Sequence, residues 1–240
     1  MGDAVAAPVD VGGSTTGVVV GRRRYRWTTP AHHAELDLER DRLDWLVGRA
    51  GTPVVIEAGR DDRHHWLVTE RVSGSPASSG EHAFDAIGTV AATATAIRAL
   101  HDLVIDGCPF SLRLDVTLDR ARGRIDDGAL GPNDLDPAFR RFSPRRLFEL
   151  VNESPPDEID LVVCHGMPSL DTILIDRGNA AGLIGLEACG VADRHLDLAL
   201  IARDLLARIG PDALPVFFDA YGADPDAMRI DWYLQLAQLL

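Results

Sequence analysis

At 240 residues, 46% of them hydrophobic, with a formal charge of −13, the chain is long enough to bury a core in one compact unit or two lobes. The negative balance argues against nucleic acid as a partner, because phosphate binding needs a basic footprint. Three cysteines without paired metal spacing, and no signal peptide, predict free thiols and a cytoplasmic protein; no apolar run approaches the roughly 18 residues that span a membrane. The first 17 residues are small, polar and Gly-rich and are predicted to be partly mobile. Within them, Gly12 to Gly17 ahead of Val18, Val19 and Val20 has the form of a loop between two strands. Arg22, Arg23, Arg24 and Arg26 around Tyr25 read as an exposed strand edge protected by charge, or else as a site for phosphate or an acidic partner. Residues 34–46 are predicted as a helix, 53–57 and 65–70 as strands, and 73–80 as the small, polar loop that starts a second lobe. Helices follow at 83–101, near 114–122 and at 144–152.

Between 164 and 209 the pattern is more specific. Cys164 and His165 lie side by side on an extended segment, so their side chains point to opposite faces, and Cys164 reads as a packed thiol. The pairs His32, His33 and His64, His65 have no acidic partner fixed by sequence and read as surface or edge residues rather than metal ligands. Two short apolar runs, 173–175 and 181–185, flank a polar turn at 176–179 and predict a β-hairpin. In an antiparallel pair the entry of one strand lies beside the exit of the other, which brings the loop from Met167 to Thr172 opposite Gly185. Residues 192–209 then read as a long helix, with apolar side chains at Leu196, Leu200, Leu205, Leu206 and Ile209. Residues 232–236, Trp-Tyr-Leu-Gln-Leu, are a packed helix or a surface for protein contact.

The wording around this hairpin resembles the aminoglycoside 3′-phosphotransferase family, small bacterial enzymes with a protein-kinase-like fold. The resemblance rests on His165-Gly166, Gly190-Val191-Ala192-Asp193-Arg194, Asp197-Leu198-Ala199-Leu200 and Arg203-Asp204. It extends back through Leu100-His101-Asp102-Leu103, Cys108-Pro109-Phe110, Asp115-Val116 and Ser143-Pro144, and forward through Phe217, Tyr221-Gly222, Arg229-Ile230 and Tyr233. It implies an α+β, two-lobed, kinase-like fold. The small β-rich N-terminal lobe is expected over 1–72 and the mainly helical C-terminal lobe over 73–240.

Against the mechanism that the resemblance implies, this chain departs at each chemical position. Such enzymes need a carboxylate for the attacking hydroxyl, an Asp and an Asn for magnesium, and a Lys on the phosphates positioned by a helix Glu. The base position is Met167, a thioether without proton affinity near neutral pH; the amide position is Thr172; the metal-carboxylate position is Gly185. The chain has no lysine, so Arg26 stands where the Lys belongs, with Glu39 as its helix partner. Arg pairs with phosphate, but through a planar fork rather than a point charge. The drug-binding acids are altered too: Asp134-Leu135-Asp136-Pro137-Ala138 replaces an acidic pair, and Ala237-Gln238-Leu239-Leu240 replaces Asp-Glu before two aromatic residues.

Three functions follow as expectations. The first is a pseudokinase that acts by binding a small molecule or a protein, with no catalytic residue and no metal, and with His165, Asp193, Arg194 and Asp197 holding the loop together. The second is an active small-molecule phosphotransferase using ATP or GTP with magnesium, its acids relocated to Asp171 and Glu187. The third is a regulatory scaffold for protein contact.

Overall fold

The computed structural model describes residues 7–9 and 15–240. Gly12 to Ser14, half of the Gly-rich segment 12–17 singled out in the sequence, and most of the first 17 residues lie outside the described residues. The N-terminal part is an antiparallel sheet of β1 (Ala7–Val9), β2 (Thr16–Val20), β3 (Arg23–Thr28), β4 (Val55–Arg60) and β5 (His65–Glu70), in the order β1-β2-β3-β5-β4. Helix α1 (Ala34–Leu46) packs its buried Leu36, Leu43 and Leu46 into the same core as Leu67 of β5. The arginine-rich strand is not an edge: β3 is hydrogen-bonded on both sides, Arg24 opposite Val19 and Thr69, and Arg26 opposite Gly17 and Leu67. With no free edge to protect, the alternating Arg24 and Arg26 share one face of the strand.

Past Glu70 the chain crosses to a mainly helical part. Two-residue β6 (Ser75–Pro76) pairs with β8 (Ile173–Asp176), which forms the expected hairpin with β9 (Asn179–Leu183). Arg177 and Gly178 at the hairpin tip have φ of 51° and 78°, the positive pair that a two-residue type I′ turn requires. Helix α2 (Ala86–His101), preceded by a 3₁₀ segment over Gly80–Asp85, buries Val90, Ala94, Ile97 and Leu100. Gly80–His101 runs 22 residues and holds an 18-residue window of mean hydropathy 1.2, so by length and composition alone it reaches the spanning threshold that no run was expected to approach. The helix shares a core with Phe217 and Tyr221, and such packing explains its apolar composition equally well.

The remaining helices are α3 (Leu114–Asp126), α4 (Pro144–Glu153), α5 (His195–Arg208), α6 (Ala213–Tyr221) and α7 (Ala227–Ala237). Helix α5 starts later than expected because Gly190–Asp193 form a strand, β10, antiparallel to β7 (Leu161–Cys164). Asp193 Oδ1 accepts from the backbone N–H of His195 and fixes that start. Tyr233 and Leu236 of α7 are buried and Trp232 Nε1 donates to the carbonyl of Val151, so this stretch is core.

Candidate functional site

The loop between β7 and β8 is held from below by one buried carboxylate. Asp197, fully buried on α5, accepts from the backbone N–H of His165 at 2.6 Å and of Gly166 at 2.9 Å. His101 Nε2–H donates to the same carboxylate at 3.1 Å, and the Tyr221 hydroxyl donates to His101 Nδ1 at 2.7 Å. His165, also fully buried, donates from Nε2 to the Ile184 carbonyl at 3.0 Å, which ties the loop to the end of β9. Gly166 has φ +88° and a Cβ there would lie 2.4 Å from the Ala188 carbonyl oxygen, so only glycine fits this turn. His101, Cys164 and Asp197 are the one group of potential metal ligands in mutual reach among the described residues. Both Asp197 oxygens are engaged by the loop N–H groups and His101, and burial raises the Cys164 thiol well above its ordinary pKa.

On that support the loop faces Gly185 as the hairpin geometry requires. Ile184 N–H donates to the Thr172 carbonyl at 2.9 Å, and a Cβ placed on Gly185 would lie 3.3 Å from Thr172 Cγ2. The Thr172 hydroxyl is occupied within its own loop, donating to the Ser169 carbonyl and accepting from the Ser169 N–H. Met167 is 60% exposed at the head of the loop. Gly185 has φ +74°, so the chain turns here in a conformation that an aspartate adopts only with strain.

The two acids flagged as relocated ligands have different surroundings. Asp171 is engaged by both Arg208 guanidinium nitrogens, at 2.6 and 3.1 Å, and by the Ser78 hydroxyl. The Arg208 bond, more than the Ser78 one, holds its carboxyl below the usual range. Glu187 turns toward the site: its Oε2 lies 3.9 Å from where a Gly185 Cβ would be and is buried without a hydrogen-bond partner.

Above the loop, Arg26 forms a buried ion pair with Glu39 of α1. Burial, then the neighbouring Arg24 charge, lowers the Arg26 pKa to about 10, against the pull of Glu187 and Glu35. Arg24 is lowered by burial as well, with Glu187 opposing, and its Nε has no hydrogen-bond partner. Arg24 closes a cavity of 270 Å³ between the sheet and the hairpin, whose walls include Val19, Pro53, Val72, Leu174 and Ile184. The sequence singled out Arg24 within its arginine cluster, but the cavity it lines was not legible there, because the walls come from segments far apart in the chain.

Two further sequence candidates are structural neighbours of this site. Buried Asp193 accepts from His195 Nδ1 at 2.7 Å and from Arg229 at 3.1 Å, and Arg194 pairs with Asp160 at 3.2 Å. On the C-terminal side, Asp136 is bound by Arg203 at 2.8 Å and by Gln238 Nε2 at 3.1 Å.

Residues 12–230 match the model of the phosphotransferase enzyme family. An aminoglycoside 3′-phosphotransferase of Streptomyces fradiae is 38% identical over 197 residues, covering 79% of this chain and 73% of that protein. A streptomycin 3″-kinase of Streptomyces griseus is 33% identical over 252 residues, covering 99% and 92%. Among solved structures, aminoglycoside phosphotransferase APH(3″)-Id of Streptomyces rimosus superposes with a TM-score of 0.85 at 29% identity, covering 99% of this chain and 93% of that one. The same enzyme in complex with ADP and streptomycin gives 0.84.

Proposed function

The chain belongs to the phosphotransferase enzyme family and has its α+β, kinase-like fold, and we propose that it uses that scaffold to bind a small molecule without transferring phosphate. The observation that carries this reading is the set Met167, Thr172 and Gly185. Thr172 and Gly185 face one another, Met167 heads the same loop, and none of the three supplies a carboxylate or a free amide. Loss of a general base alone removes roughly 10²- to 10⁴-fold in rate, and loss of charge stabilisation on the transferring phosphate removes more. The residues do not fit a pair of magnesium ions, since of the two relocated candidates Asp171 is engaged by Arg208 and Ser78, which leaves Glu187 alone with an unengaged carboxylate oxygen. We take residues 1–72 and 73–240 as the two lobes, with ligand held between them and His165, Asp193, Arg194 and Asp197 in supporting roles.

On the acceptor side, the ties of Asp136 to Arg203 and Gln238 support the view that the acids expected to hold a polycationic drug are absent. The test is a phosphate-transfer assay with ATP or GTP, magnesium and streptomycin or a 3′-hydroxyl aminoglycoside. Turnover at background is expected, and turnover well above it would overturn the reading.

A second reading keeps phosphoryl transfer, and the unengaged Glu187 oxygen beside Gly185 is the observation in its favour. It requires that turnover exist and vanish in Glu187→Gln. The scaffold reading would have to use the cleft or another apolar patch, because Tyr233 and Leu236 within residues 232–236 are buried in the core.

A further inference from the structure

We propose that the groove between α6 and α7 is a second binding site, separate from the cleft, and that its occupant is a small amphiphilic cation: an apolar body carrying an ammonium or guanidinium group.

Helical geometry sets the groove apart from the loop. Asp197, Asp204 and Arg208 of α5 all hold the loop, through the N–H groups of His165, Gly166 and Leu170 and through Asp171. Ala202, which lines the groove, is five residues from Asp197 and so about 140° around the helix. Local sequence opens the space. Helix α6 stops at Tyr221 because Gly222 takes a left-handed φ of +79°, and Pro225 holds the turn before Asp226 caps α7. The two helices and this turn wall a cavity of 830 Å³, the size of a small-molecule site.

The walls call for an apolar body. Ala202 and Phe218 are buried members of the main core, so the groove opens directly onto it, and Leu214, Ile230 and Leu234 line its sides half-buried. Leu206, one turn beyond Ala202 on the same ridge of α5, is exposed and continues the apolar surface outward.

The rim calls for a positive charge. Among the described residues, the charged side chains lining the groove are three carboxylates, Asp219, Asp224 and Asp231. Asp219 follows Phe218 and Asp231 follows Ile230, so each helix presents an apolar contact with an acid beside it. Neither the Asp219 nor the Asp224 carboxylate has an ion pair or hydrogen bond, and that of Asp231 accepts only from Gln235 Nε2, at 2.8 Å. Two arginines close by are committed elsewhere. Arg98 binds Asp102 and the Tyr221 carbonyl, and Arg229 binds Asp193, Asp226 and the Asp157 carbonyl. An apolar floor under an unneutralised anionic rim complements a molecule of the opposite pattern. An anion meets repulsion there, and a cation without an apolar body leaves the floor uncovered.

The test is titration calorimetry of the full chain with n-octylammonium chloride, 1-octanol and sodium octanoate, which share one alkyl body and differ in charge. Octylammonium is expected to saturate a single site and to bind at least about tenfold more tightly than octanoate, with 1-octanol between them. Added salt should narrow that gap, because exposed carboxylates are screened. Asp219→Asn, Asp224→Asn and Asp231→Asn combined should bring octylammonium to the 1-octanol affinity and leave 1-octanol unchanged. Ala227→Trp, at an exposed position of the groove wall, should weaken both; binding in the cleft would survive it. A titration that does not saturate, equal affinities for the cation and the anion, or octylammonium binding untouched by the triple replacement or by Ala227→Trp overturns the proposal. Should the triple variant fail to fold, Asp224→Asn alone decides: a loss of about two- to fivefold in octylammonium affinity is expected, and none overturns the proposal.

Discussion

Asp197 is the residue on which most of the candidate site depends. It accepts two backbone N–H groups of the loop and the His101 ring, and no water-exposed surface is available to compensate for its loss. Asp197→Ala should cost roughly 3–5 kcal/mol, because it strands buried donors; the urea midpoint measures it, and a change below about 1 kcal/mol would refute the anchoring role. Asp193 predicts a pH effect. Against the opposing cost of burial, hydrogen bonds from His195 and the Arg229 charge hold its carboxyl below the ordinary value of 3.8. A carboxylate depressed in the folded state contributes stability that is complete above the unfolded pKa and lost as pH falls through the folded one. Asp193→Asn should therefore lower the melting temperature at pH 7 and flatten the fall in stability below about pH 4. Both acids were legible in the sequence because they sit in the segments that carry the family resemblance, Gly190 to Arg194 and Asp197 to Leu200. The environment of Asp171 was not: its partner Arg208 is 37 residues away, and only the packing of α5 against the loop brings them together.

Hairpin and helix order were legible because their signals are local. The polar turn at 176–179, apolar alternation and helix periodicity each act within a few residues, and the observed hairpin joins Ile173–Asp176 to Asn179–Leu183. Strand β10 was not, since Gly190–Asp193 acquires its strand character only by pairing with Leu161–Cys164, nearly thirty positions earlier. For the same reason β3 was misread as an edge. The hairpin also packs closely against the N-terminal part of the molecule. A Cβ on Gly182 would fall 2.0 Å from the Gly51 carbonyl oxygen and 2.8 Å from Val72 Cγ1. Gly182→Ala should therefore separate β9 from the turn after α1 and cost roughly 1–3 kcal/mol, read from the thermal midpoint; Gly178→Ala would not be an equivalent control, because φ there is +78°. A fully tolerated Gly182→Ala would show that this contact is looser than the backbone geometry implies.

Across the whole molecule, 37 acidic residues against 24 arginines leave a surplus of negative charge that the folded state concentrates. Raising ionic strength from about 0.01 to 0.15 M shortens the Debye length from roughly 30 to 8 Å and should raise the melting temperature. A fall would mean that attractive exposed pairs such as Arg208–Asp171 and Arg98–Asp102 outweigh the net repulsion. One link between the sheet and the helical part has a kinetic meaning. Arg42 of α1 donates from Nε to the Cys189 carbonyl at 2.9 Å and from Nη1 to its own helix at Leu38, with its guanidinium 4.5 Å from the centre of the Phe110 ring. The helix that presents Glu39 is thus bolted to the segment that follows Glu187, and the jaws of the cleft cannot swing apart without breaking that bolt. Capture of a ligand is then expected to follow a single exponential whose rate grows in proportion to ligand concentration, and a slower second phase in stopped-flow would mean that this link breaks during binding.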